Sequence, residues 1–238
     1  TGRIADYGRL GATMSVDGIS LNAQGLAPVL IVLDSTGTAL WGKTFPGNSC
    51  FPHEVQFTSS GDLLMTGDYG SQVNIDTVTY QKFDPLSSIS ARNPFLVKYS
   101  ASGTYLWSNA FPMTYSANVV FAGFEGYFAS VAEAPNGDIF LGINLRGDIR
   151  LDSDTLSGTS NLSVDILILE LSPTGQVDST IFYGGTGQES INDIEVDANG
   201  RVYIAGSTTG NVTVAGTLIP QLSSAGFLAE ITNGGTLL

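Results

Sequence analysis

The chain has 238 residues, 42% hydrophobic and 10% aromatic, enough apolar matter to fold around a substantial core and too much for a disordered segment. Only 13% are charged, against about 25% in ordinary globular proteins, and a formal charge of -13 with no Lys/Arg cluster repels a phosphate backbone, which excludes nucleic acid as a partner. The longest apolar runs fall far short of the roughly 20 residues a membrane helix needs, so no membrane insertion is expected, and the single cysteine, Cys50, excludes an internal disulfide or a Cys-based zinc site.

Read in order, the chain repeats itself about every 60 to 75 residues. The opening TGRIADYG reads as a lone strand, and ATMSVDGISL follows it as a small hairpin. PVLIVLDSTGTALW is then a strand, a turn at Gly37 and a second strand. That half-repeat returns as PFLVKYSASGTYLW, DILILELSPTGQV and GFLAEITNGGTLL, turning at Gly103, Gly175 and Gly235, with Trp41 and Trp107 at equivalent places. A Trp so repeated is expected to pack between repeats.

The other half-repeat is HEVQFTSSGDLLMTG, ASVAEAPNGDIFLG and INDIEVDANGRVYIAG, turning at Gly61, Gly137 and Gly200. Before these turns every second residue is apolar, as in Val55 and Phe57 or Ile194 and Val196, and the residues between are polar or small, which predicts a strand with one wet face. After the turn both faces are apolar, as in Leu63, Leu64 and Met65, so that strand is expected in mid-sheet, and the opening TGRIADYG matches it. In the second and third of these turns, Asn-Gly is expected to supply the positive backbone angle. QVNIDTVTY, DIRLDSDTL and NVTVAGTLI, in the excursions between half-repeats, read as further small hairpins. No segment sustains a helical period, and Gly, Asn and Pro punctuate the chain too densely for long helices.

Four-stranded antiparallel sheets repeated in tandem can bury their two apolar faces by packing radially, so the expected fold is all-β, a propeller of about four four-stranded blades at about 1–46, 47–112, 113–184 and 185–238. The stretches 196–206, 95–107 and 165–175 resemble the SBBP-type propeller repeats of bacterial secreted and surface proteins. The resemblance covers almost the whole chain and implies export, an extracellular or cell-surface location, and recognition more often than chemistry. With inner and outer strands assigned by that resemblance, the first blade lacks its inner strand and the last stops inside its outer one. The expectation is an arc of a larger propeller; the other reading is a four-bladed ring closed by its two terminal half-repeats.

On that assignment Glu54, Asp193, Glu195 and Glu133 lie beside a central channel with His53 and Asn192. The carboxylates there could hold a cation such as calcium, act as general acid and base, or simply wall a wet channel. Glu133 stands out, since equivalent positions carry Phe57 and Val196. The loops PGNSCFPH, PMTYSANVVFAGFEGY and YGGTGQES occupy equivalent places and differ in character, which makes them the expected binding surface, with His53, Tyr115, Phe121, Phe124, Tyr127 and Glu189 as its residues. The aromatic loop either stacks sugars, docks protein, or folds inward as a plug. His53 is the sole histidine, no GxSxG, phosphate loop or strand-to-helix GxGxxG is present, and the short DANG and PNGD stretches read as turns and not as calcium loops. No catalytic residues and no cofactor are therefore expected. The leading function is a non-enzymatic recognition, adhesion or assembly module that binds protein or glycan; the alternatives are a carbohydrate-active hydrolase or lyase using the channel carboxylates, and a structural spacer of a filament, surface layer or virion appendage.

Overall fold

The computed structural model describes residues 2–23, 25–82, 92–114, 129–152, 154–159, 163–185, 187–214, 217–219 and 225–231. The described residues form antiparallel β-sheet and no helix. Two compact units divide the chain, unit 1 over Thr1–Ala110 and unit 2 over Phe111–Leu238.

In unit 1, β1 (Ile4–Leu10) is followed by the small hairpin β2 (Thr13–Val16) and β3 (Ile19–Asn22), then by β4 (Ala27–Leu33) and β5 (Ala39–Thr44). Next come β6 (Phe51–Phe57), β7 (Leu63–Tyr69), the hairpin β8 (Gln72–Ile75) and β9 (Val78–Gln81), β10 (Asn93–Tyr99) and β11 (Tyr105–Ala110). Two main sheets result, ordered β1-β4-β5 and β6-β7-β10-β11. β7 and β10 are buried along their whole length, as their two-sided apolar pattern requires. Ile4 pairs with Leu33 as Leu63 pairs with Tyr99, so β1 stands where β7 stands in the second sheet. The small hairpins fall where alternation placed them, and Asp17 and Asp76 take the left-handed backbone conformation at two of their turns.

The two sheets of unit 1 share a core of Leu30, Val32, Phe45, Leu63, Met65, Phe95, Val97 and Tyr99, each worth about 1.5–3 kcal/mol on burial. Trp41 fulfils its expected role by laying its ring against the next turn: a Cβ on Gly103 would stand 2.7 Å from it, and its indole N–H donates to Ala101 O at 3.2 Å. Lys98 is buried, with its ammonium 4.0 Å from Asp62.

Unit 2 begins with β12 (Met113–Thr114), β13 (Ala129–Glu133), β14 (Ile139–Leu145), the hairpin β15 (Asp148–Leu151) and β16 (Asp154–Ser157), β17 (Asp165–Leu171) and β18 (Val177–Gly185). It continues with β19 (Glu189–Val196), β20 (Val202–Thr208), the hairpin β21 (Val212–Val214) and β22 (Thr217–Ile219), and β23 (Ala225–Ile231). The order β13-β14-β17-β18 repeats that of β6-β7-β10-β11, with β21 and β22 added at the β18 edge, and β19-β20-β23 repeats its first three places. β12 extends the β15-β16 hairpin. Phe140, Ile166, Ile168, Ile191, Ile194 and Ile204 are buried between these sheets.

The glycine turns are built alike. Gly37, Gly61, Gly103, Gly137, Gly175 and Gly200 all have φ between 80° and 91°, a region that strains any residue with a Cβ. In the two Asn-Gly turns the glycine carries the positive angle, and Asn136 and Asn199 do not share it. The residue three before each glycine accepts its N–H, for example Asp34 O at 3.1 Å and Asp197 O at 2.9 Å. The side chain at that position caps several of these turns: Asp34 Oδ1 accepts from Thr36 N and Thr38 N, Asp197 Oδ1 from Asn199 N and Arg201 N, and Ser100 and Ser172 accept in the same way. These bonds hold the partly exposed carboxyls of Asp34 and Asp197 below the usual carboxylate range.

Candidate functional site

The sheet ends opposite the glycine turns are where the repeat departs from itself, and each unit has its own chemistry there. In unit 1 a bulge between Pro52 and Glu54 sets His53 outside the β6 ladder. Its imidazole Nε2 lies 2.5 Å from Asp68 Oδ2, so the carboxylate, which can only accept, fixes the ring proton on that nitrogen. Arg92 donates to the other carboxylate oxygen at 2.7 Å and to Ser49 O at 2.8 Å, and Tyr7 OH donates to the His53 carbonyl. Burial, with Glu54 and Asp6 nearby, holds the Tyr7 phenol up.

The Arg92 guanidinium carbon is 3.9 Å from the Phe51 ring centroid, and that of Arg9, from β1, is 3.7 Å away. Two guanidiniums that close cannot share one ring face without overlapping, so they sandwich Phe51 and clasp the first sheet to the second. Each contact contributes about 0.5–1 kcal/mol where exposed.

Preceding β6, the loop at 46–50 is tied down by backbone bonds: Asn48 N to Gln72 O, Gly70 N to Asn48 O and Asn74 N to Pro46 O, each 2.8 Å. Ser49 takes the left-handed conformation, and a Cβ on Gly47 would come within 2.3 Å of Gln72 O. Cys50 is wholly buried and unpaired; burial and then Asp68 push its thiol up to about 12, against a smaller opposing effect of Arg9 and Arg92. It is a packing residue and not a nucleophile.

Unit 2 places Asp165 and Glu189 at the equivalent end, at the starts of β17 and β19, both with no exposed surface. Thr159 donates to Asp165 twice, from its N–H at 2.7 Å and its hydroxyl at 2.6 Å. A Cβ on Gly185 would stand 3.1 Å from Glu189 Oε1, and Thr208 Oγ1 is 3.4 Å from the same oxygen. Glu189 Oε2 has no hydrogen-bond partner among the described residues. Glycine is required at this approach: a Cβ on Gly184 would stand 2.7 Å from Asp165 Oδ1, and one on Gly185 only 1.9 Å from Asn211 O. Burial raises both carboxyls, Glu189 further through Asp165.

Of the carboxylates expected beside a channel, Glu54 lies half-buried on β6 in unit 1, while Asp193 and Glu195 lie exposed on β19 in unit 2. Asp193 accepts from Ser130 Oγ at 3.1 Å, and the Glu195 carboxyl is raised by desolvation and by Asp193. Glu133, the outlier, is half-buried at the end of β13 opposite Ile139. Glu189, expected in a binding loop, is instead interior. Tyr115, Phe121, Phe124 and Tyr127 lie outside the described residues. Among the described residues no three His, Cys, Asp or Glu side chains gather as metal ligands, and the Asp197 carboxylate is occupied by its own turn.

Reading the sequence did not single out Arg9, Phe51, Asp68, Arg92 or Asp165. For Asp165 a signal existed: it stands ten residues before Gly175, where Gly37 and Gly103 have Ala27 and Asn93.

No protein-family model matches the chain, and no curated protein does. Among solved structures, the chain is similar to a protein of unknown function from Bacteroides caccae, with 9% identity and a TM-score of 0.47 over 98% of this chain and 60% of that one. The chain therefore spans about 60% of the length of that protein.

Proposed function

We propose that the chain is a β-propeller, or an arc of one, exported to the cell surface, where it binds protein or glycan through the loops between successive sheets without catalysing a reaction. The observation that carries this reading is the contrast between the two ends of the sheets. Six glycine turns share one conformation, while the opposite ends carry an Arg-Phe-Arg clasp with a His-Asp pair in one unit and two buried acids in the other. A constant scaffold with a variable rim is how folds that recognise many partners are built. The low-charge surface, rich in Gly and hydroxyl residues, and the resemblance to secreted repeat proteins support the location.

A glycan array and a pull-down from cell-surface extracts, run with the wild type and with the aromatics of 115–127 changed to Ser and Gly, test the reading. Binding by the wild type that the loop variant loses is the expected result. Binding equal in both moves the site off that loop, and turnover of a polysaccharide by the wild type replaces recognition with catalysis.

A further inference from the structure

The repeat itself shows that the corner occupied by Asp165 and Glu189 needs no acid. Its counterparts by register in unit 1 are Ala27 and Cys50, which are also without exposed surface, and Cys50 packs in an apolar cluster with Phe45, Tyr69 and Val73. Two carboxylates are thus a local addition to a corner that Ala27 and Cys50 close without charge. Both are without exposed surface, Asp165 lies against Gly184 and Glu189 against the adjacent Gly185, and one oxygen, Glu189 Oε2, lacks any partner among the described residues. An ionised pair so placed combines like-charge repulsion with a stranded buried lone pair, and both are relieved by a single proton.

We propose that Asp165 and Glu189 hold one proton between them and act as a latch: with the proton in place the starts of β17 and β19 are locked to the end of β18, and loss of the proton loosens that corner. Around the pair, β18 contributes Gly184 and Gly185, β20 contributes Thr208, and the segment after β16 contributes Thr159. Arg146 and Asp148 flank Gly147, whose carbonyl accepts the Gly158 N–H, and Asp154 begins β16. Neither Asp165 nor Glu189 has an ion pair with Lys or Arg among the described residues, so no fixed cation takes the proton's place. The latch stands whether or not the loops of this end bind a partner.

A carboxyl raised in the folded state binds its proton more tightly there than in the unfolded chain. The stability it contributes is full below the unfolded value, about 4, and is lost as pH climbs through the folded value, tenfold in the folding constant for each unit of displacement. Urea unfolding of the full chain from about pH 4.5 to about pH 8 reads this directly, with Glu189→Gln and Asp165→Asn beside the wild type. The expected result is a folding constant that falls with pH in the wild type and falls at least fivefold less in Glu189→Gln. Equal slopes overturn the proposal. Infrared difference spectroscopy of the wild type keeps the test alive if the variants do not fold: a protonated carboxyl persisting well above pH 5 supports the latch, and its absence overturns it. Calcium added at neutral pH is the remaining arm; stabilisation abolished by Glu189→Gln would make the corner a cation site and overturn the shared proton, whereas no effect supports it.

Discussion

The corner at Ala27 and Cys50 and the corner at Asp165 and Glu189 occupy the same register of the same repeat and are solved by opposite means. One is apolar, closed by Phe45, Tyr69 and Val73, with a thiol too weakly acidic to react. The other buries two carboxyls against Gly184 and Gly185, one of them bonded by Thr159. Unit 1 does carry ionic groups at this end, but Asp68 answers Arg92 and His53 directly, so its charges are paired where those of unit 2 are alike. A repeat fold therefore constrains backbone register tightly and leaves the chemistry of its rim free.

The comparison breaks most severely at the paired charges. Asp68→Ala removes the carboxylate that Arg92 and His53 share in a nearly closed site while Arg92 keeps the Ser49 carbonyl and the Phe51 ring, and about 2–4 kcal/mol of stability should be lost in urea unfolding, with Asp68→Asn recovering part of it. A loss under 1 kcal/mol would make the network ornamental. In unit 2 the tightest point is Gly185, where an added Cβ meets the Asn211 carbonyl; Gly185→Ala should cost about 1–3 kcal/mol or more through backbone displacement and raise amide exchange at the β18-β21 pairing. The turns sharpen the comparison on a smaller scale. Gly61→Ala meets no neighbour and should lose only about 1–2 kcal/mol for its backbone angle, whereas Gly103→Ala also strikes the Trp41 ring and should lose more, with a change in Trp fluorescence that Gly61→Ala does not show. Equal losses would remove Trp41 from the sheet contact. Smallest is Arg9→Ala, about 0.5–1 kcal/mol, because the Arg92 face of Phe51 remains covered.

How much of this was legible in the sequence follows the reach of each interaction. Alternation around Gly61, Gly137 and Gly200 and the two-sided apolar strands after them placed β6, β7, β14, β19 and β20, because period and turn chemistry act over a few residues. The small hairpins were legible for the same reason. The two Asn-Gly turns were legible in the same way: Gly137 and Gly200 carry the positive angle, while Asn136 and Asn199 do not. The rim was hardly legible. His53 joins Asp68 across a bulge and Arg9 reaches Phe51 from a different sheet, pairings that no local spacing announces. Asp165 was visible as an outlier in its column but needed Glu189, from a strand of the neighbouring sheet, to acquire meaning.

Residue-resolved carboxyl carbon titration of the wild-type chain, with labelled Asp and Glu, tests the contrast most directly. Asp34 and Asp197 should titrate below the ordinary carboxylate range, while Asp165 and Glu189 titrate above it as a coupled pair. If Asp165 and Glu189 instead ionise independently at ordinary values, the acid corner is wet and the difference between the two units disappears.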